Sequence, residues 1–155
     1  MFYNFLLLEP KTARAAGALQ TLRQMQQEGV SKADGNAVNI VVSADKLKDN
    51  PFSAAELMLS MMQAGHSSDA NAGKTPEQLF FENTQAFFHI LGELREGRTD
   101  FWWSYYVEFF HEMALDENVE AFSYSIVPGE ASESWLRGHP DQVEQLQNWY
   151  RNYKR

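Results

Sequence analysis

Residues 76–114 hold two patterned segments, each apolar around most of a helical circumference with one thin polar stripe, joined by Gly97-Arg98-Thr99-Asp100. Thr75-Pro76-Glu77-Gln78 opens the first as a capping box, in which side chains at both ends of the first turn satisfy backbone N–H groups. Pro76 then falls at the first helical position, where its missing N–H costs nothing. At about 100° per residue, Leu79, Phe80, Ala86, Phe87, Ile90, Leu91 and Leu94 share one broad arc flanked by Phe81 and Phe88. Glu82, Gln85, His89, Glu93 and Glu96 take the remainder. The second segment, about Asp100 to Leu115, surrounds itself with Phe101, Trp102, Trp103, Tyr105, Tyr106, Val107, Phe109, Phe110 and Met113. Only Asp100, Ser104, Glu108, His111 and Glu112 form a polar strip. One neighbour cannot cover so wide an arc, so this helix is expected to organise the core, with elements on at least two sides.

Lys11 to Glu28 reads as a helix with Ala15, Ala18, Leu19, Leu22 and Met25 on one face and Gly29 to end it. Ser31 to Gly35 is a loop by composition. Across 37–47 two periods compete: Val38, Ile40 and Val42 alternate like a strand, while Ala37, Ile40, Val41, Ala44 and Leu47 fit a helix, which the helical surroundings favour. Ser53-Ala54-Ala55-Glu56 is another capping box, and the Met-rich helix it opens should run to Ala64, with Gly65 stopping it. Phe122-Ser123-Tyr124-Ser125-Ile126 alternates strictly, which predicts a strand before Pro128-Gly129, with a helix as the other reading. Glu130 to Gly138 is expected to be loop anchored by Trp135, and Pro140 opens a last helix bearing Val143, Leu146, Trp149, Tyr150 and Tyr153.

These elements predict a mainly α chain, one helical domain over residues 1–155, with five to seven helices packed as antiparallel hairpins in a bundle or short α–α array. One or two short strands are expected near 38–42 and 121–127. A chain of 155 residues is long enough to bury a core without staples, and 44% apolar content excludes wholesale disorder. The absence of Cys removes disulfides, thiolate metal sites and cysteine nucleophiles. The apolar N-terminal run lacks the basic residues and small-residue cleavage site of a signal peptide, and no stretch reaches the ~20 apolar residues of a membrane span, so a cytoplasmic location is expected.

The net charge of −8 is unevenly placed: residues 51–155 carry sixteen acids against seven bases, whereas residues 1–50 carry five against six. Such a surface repels phosphate backbones and anionic membranes and attracts basic proteins. The expected function is accordingly a non-enzymatic protein–protein interaction domain: an adaptor, an inhibitor or immunity-type binder of a basic partner, or a self-associating chain. Glu112, Asp116, Glu117 and Glu120 would supply the charge. Trp135 and Trp149 would be aromatic anchors, because one sits in an expected loop and the other near the chain end.

The alternative is a carboxylate–histidine metal bundle, and with it a metal-dependent enzyme. Glu108-Phe109-Phe110-His111 has the Glu-x-x-His spacing that puts two ligands on one helix face. In a hairpin turning near Arg98, His89 should fall level with Glu108, and Gln85 or Ala86 level with His111. Glu82, His89, Glu108 and His111 would then offer oxygen and nitrogen ligands suited to iron, manganese or zinc. A second Glu-x-x-His is missing, since Glu93-Leu94-Arg95-Glu96 ends on Glu. If both strips face water instead, His89 and Glu93 make an ordinary i, i+4 pair and no cofactor is implied. Two further motifs fail: Gly73-Lys74-Thr75 lacks the strand and first glycine of a phosphate loop, and His111-Glu112-Met113-Ala114-Leu115 has Leu where a zinc protease needs its second His.

Overall fold

The computed structural model describes residues 1–27, 30–32, 38–40, 52–65, 71 and 73–154. Among them are eight α-helices: α1 Phe2–Leu8, α2 Ala13–Gln27, α3 Ser53–Gly65, α4 Pro76–Glu93, α5 Glu108–Leu115, α6 Val119–Ile126, α7 Glu130–Gly138 and α8 Pro140–Asn152. A π-helical turn, Trp102–Val107, runs directly into α5. Two short strands, β1 Val30–Lys32 and β2 Val38–Ile40, pair antiparallel. The architecture is mainly α, with one helix more than the five to seven expected. The additions are α1, hidden in the apolar N-terminal run, α6, where a strand is the first reading, and α7, where the sequence suggests loop.

The strongest sequence signal is realised as expected. Thr75 caps α4: its hydroxyl accepts from Gln78 N–H at 3.2 Å, and Gln78 Oε1 accepts from Thr75 N–H at 2.8 Å. Helix α4 packs against α3, α5, α6 and the π-helical turn, so it occupies the centre expected of the 100–115 segment. That segment divides. Phe109, Phe110 and Met113 of α5 are buried, whereas Phe101 and Trp102 are exposed and stack with Tyr105 and Tyr106 on one another. The aromatic arc thus feeds a core at its C-terminal end and a surface cluster at its N-terminal end. Among the described residues, α5 does have neighbours on two sides, α4 through Phe110 and α8 through Phe109.

The core is aromatic. Tyr3 of α1 meets Phe88 edge-on at 4.9 Å between ring centroids, and Phe88 stacks on Phe110 at 4.6 Å. Phe122 of α6 closes the group at 6.0–6.1 Å from Tyr3, Phe88 and Phe110. A smaller cluster of Ala55, Leu91, Trp103 and Val107 joins α3 to α4 and the π-helical turn, with Phe52 stacked on Trp103.

Residues 119–126 correct the strand expected at 121–127. They form α6, in which Ala121, Phe122, Ser123, Tyr124 and Ile126 are all buried. Helix α6 is packed against α1, α4, α7 and α8, with Ser123 buried and Ser125 half-buried. Ser125 bonds the Ala121 carbonyl of its own preceding turn at 2.7 Å, the habit that lets serine occupy a helix without an outside partner. Alternation marks a strand only if one face is wet, and here neither is. Residues 38–40, for which the helix was favoured, are strand, as is Ser31 of the expected loop; residues 41–47 lie outside the described set, as does most of 66–73.

Tyr3 ties three helices together: its hydroxyl accepts from buried Gln26 Nε2 of α2 at 2.7 Å and lies 3.3 Å from Thr84 Oγ1 of α4. Burial pushes its pKa well above the usual tyrosine value, so it stays a neutral hydrogen-bonding phenol. Tyr3→Phe removes only an oxygen and leaves the Gln26 donor unsatisfied, so urea denaturation should show a loss of about 1–3 kcal/mol.

Candidate functional site

Helix α5 ends in a tight C-terminal turn that shapes the surface beside it. Glu117 is left-handed at φ 57°, its N–H bonds the Ala114 carbonyl, and Asn118 N–H bonds the Met113 carbonyl at 3.0 Å. This is the paired-bond closure usually made with glycine at the left-handed position. It reverses the chain so that Asp116 and Glu117 stay outside while Asn118, only 1% exposed, is turned inward. Helix α8 then passes alongside, and Trp149 Nε1 donates to Asp116 Oδ2 at 2.6 Å across 33 residues of sequence. The Asp116 carbonyl accepts from Gln145 Nε2 at 3.1 Å and from Asn118 Nδ2 at 3.0 Å.

Between this turn and α8 lies an open groove of about 690 Å³, within the ~300–1,000 Å³ typical of ligand sites. Glu112, Asp116, Asn118, Gln145, Asn148, Trp149, Asn152, Tyr153 and Lys154 line it. Three of the six residues expected at a partner surface therefore converge: Glu112, Asp116 and Trp149. Among the described residues, Glu112, Asp116, Glu117 and Glu120 make no ion pair with a Lys or Arg. Glu117 is exposed on the turn itself, and Glu120 sits half-buried in the first turn of α6, outside the groove lining. Trp135 is elsewhere, stacked between Tyr124 at 4.4 Å and His139 at 4.2 Å and packed against the core.

The amide side chains of the groove were not singled out by sequence reasoning. Gln145, Asn148 and Asn152 recur at helical spacing on α8, a polar stripe legible in principle but overshadowed by the apolar Val143, Leu146 and Trp149 beside it.

The other expected site is distributed differently. His89 and His111 do meet, edge to face, with ring centroids 6.2 Å apart. Glu82 is turned to Lys74, whose Nζ lies 2.7–2.8 Å from both carboxylate oxygens, and Glu108 is exposed at the start of α5. Among the described residues, no three His, Asp or Glu side chains form a set that could hold a metal ion. The register also differs from expectation, since His111 lies against His89 and Gly92, about one and two turns beyond Gln85 or Ala86. The π-helical turn precedes α5, and its bonds span five residues, as in Glu108 N–H to the Trp103 carbonyl, so it rotates α5 relative to an unbroken α-helix.

Gly92 is the socket for the His111 ring, where any Cβ would collide with it. Burial lowers the His111 pKa, with the Arg95 guanidinium and His89 acting in the same direction and Glu112 and Glu93 opposing. No protein-family model, curated protein or solved structure matches the chain. Among the described residues no helix is long and apolar enough to cross a membrane.

Gly92→Ala should destabilise the fold by roughly 1–3 kcal/mol in urea, overpacking outweighing the gain in helix propensity, and His111→Ala in the same chain should recover most of the loss. The histidine also sets a pH trend. With its folded pKa below the unfolded value of 6.5, the unfolded chain takes up the proton first. Its stabilising contribution is therefore complete above pH ~6.5 and declines as the pH falls towards the folded pKa. Urea midpoints measured between pH 7.5 and 5.5 should fall, and fall less in His111→Phe.

Proposed function

We propose that this chain is a non-enzymatic protein-interaction domain that binds a basic partner through the groove between the α5–α6 turn and α8. The observation that carries the reading is the placement of the Glu112 and Asp116 carboxylates, without a cationic partner among the described residues, beside a partly buried Trp149. A carboxylate already satisfied by an internal lysine, as Glu82 is by Lys74, has little left to offer a partner. Those of the groove have no such ion pair among the described residues. An indole held in place by its bond to Asp116 supplies the rigid aromatic contact that binding surfaces favour.

Electrostatic complementarity of this kind acts on encounter rate and salt dependence more than on packing. Reversing Glu112, Asp116, Glu117 and Glu120 to Lys tests it, with thermal melting to confirm folding. A basic protein captured by the wild-type chain at low salt should be lost from the variant by at least tenfold and released from the wild type at high salt. Equal capture by both chains would remove the reading.

A further inference from the structure

We infer that the groove recognises an arginine side chain of the partner, with its guanidinium held against the acceptors of the α5–α6 turn and α8; this rests on the reading above and specifies its ligand. The warrant is how the lining spends its donors. Asn118 Nδ2 and Gln145 Nε2 both donate to the Asp116 carbonyl, Asn152 Nδ2 donates to the Asn148 carbonyl at 2.8 Å, and Trp149 Nε1 donates to Asp116 Oδ2. Asn118, Gln145 and Asn152 thus each commit an N–H to a backbone carbonyl, which leaves their oxygens free of any hydrogen bond among the described residues. Asn118 lies buried among the lining residues, and its Oδ1, shielded from solvent, has no hydrogen-bond partner within the protein. Its bond to the Asp116 carbonyl also fixes which end of the amide is the oxygen.

The result is a site rich in acceptors, lined by two carboxylates and by the side-chain amides of Asn118, Gln145 and Asn152. Second amide N–H groups and Lys154 still supply donors, so it is the Glu112 and Asp116 carboxylates that set the preference for a cation. A guanidinium carries five N–H donors in a rigid plane, remains charged at any working pH, and stacks on aromatic faces. An ammonium supplies three donors from a point and is more strongly hydrated, so it satisfies fewer of these oxygens for a larger desolvation cost. Among the described residues Lys154 is the one basic residue in the lining, and it opposes a cationic ligand.

The test uses the full chain, ¹⁵N-labelled, titrated at low salt with three Gly-Ser peptides identical except for a pair of arginines, lysines or citrullines. Indole and side-chain amide resonances, assigned through Trp149→Phe and single Asn or Gln variants, report where each binds. The arginine peptide should move the Trp149 indole and the Gln145 and Asn152 amides, bind at least fivefold more tightly than the lysine peptide, and leave citrulline without measurable binding. Glu112→Gln and Asp116→Asn, which keep the shape and the Trp149 bond, should each weaken it by fivefold or more, while Lys154→Gln should tighten it about twofold. Equal binding of arginine and lysine overturns the guanidinium preference and leaves the basic-partner reading standing. Shifts confined to residues outside the groove overturn the site alone. No shift with any peptide, in a chain that still captures a basic protein, places that protein's contact elsewhere and overturns the inference.

Discussion

The aromatic contact among Tyr3, Phe88, Phe110 and Phe122 is the constraint on which the rest of the structure depends. These four rings come from α1, α4, α5 and α6, and their centroids lie 4.6–6.1 Å from one another, so each helix is located relative to three others at once. Rings of this size bury large area and prefer tilted or edge-on approach, which restricts how the helices can rotate about their axes. Tyr3 adds direction. Its hydroxyl has to reach Gln26 and the neighbourhood of Thr84, and that holds a short N-terminal helix of seven residues in one orientation. Alone, so short a helix would be marginal in water.

The groove follows from that placement. Phe110 and Met113 fix α5 against the core, so the turn that ends α5 emerges at a defined point, and Phe109 contacts Trp149 and Tyr153 to bring α8 alongside. The polar contacts of Asp116 then unite the two elements. A core built of rings thus delivers a surface built of oxygens, and the same α5 carries both: Phe109, Phe110 and Met113 inward, Glu112 into the groove lining.

Much of the fold was legible because the signals were local. The Thr75 box names its own partners within three residues, and the structure contains both bonds. The charge asymmetry was visible for the same reason, being a property of composition along the chain. Residues 119–126 were misread because period-two alternation assumes a sheet with a wet face. Small serines fit that pattern in an enclosed helix too: Ser123 is buried, and Ser125 bonds back to its own helix. Helix α7 was misread as loop because Glu130, Ser132, Glu133 and Ser134 make it nearly polar; its fold depends on Trp135 finding Tyr124.

The sequence by itself determined a mainly helical chain, the position of its firmest helix start, and an acidic C-terminal two-thirds, since capping, periodicity and net charge are written in neighbouring residues. It could not determine which distant groups meet. That Asp116 finds Trp149 and that His111 seats on Gly92 and not on Ala86 depend on how the helices are rotated and packed. Each of those is fixed by packing among elements far apart in sequence, where a shift of a single residue changes every partner.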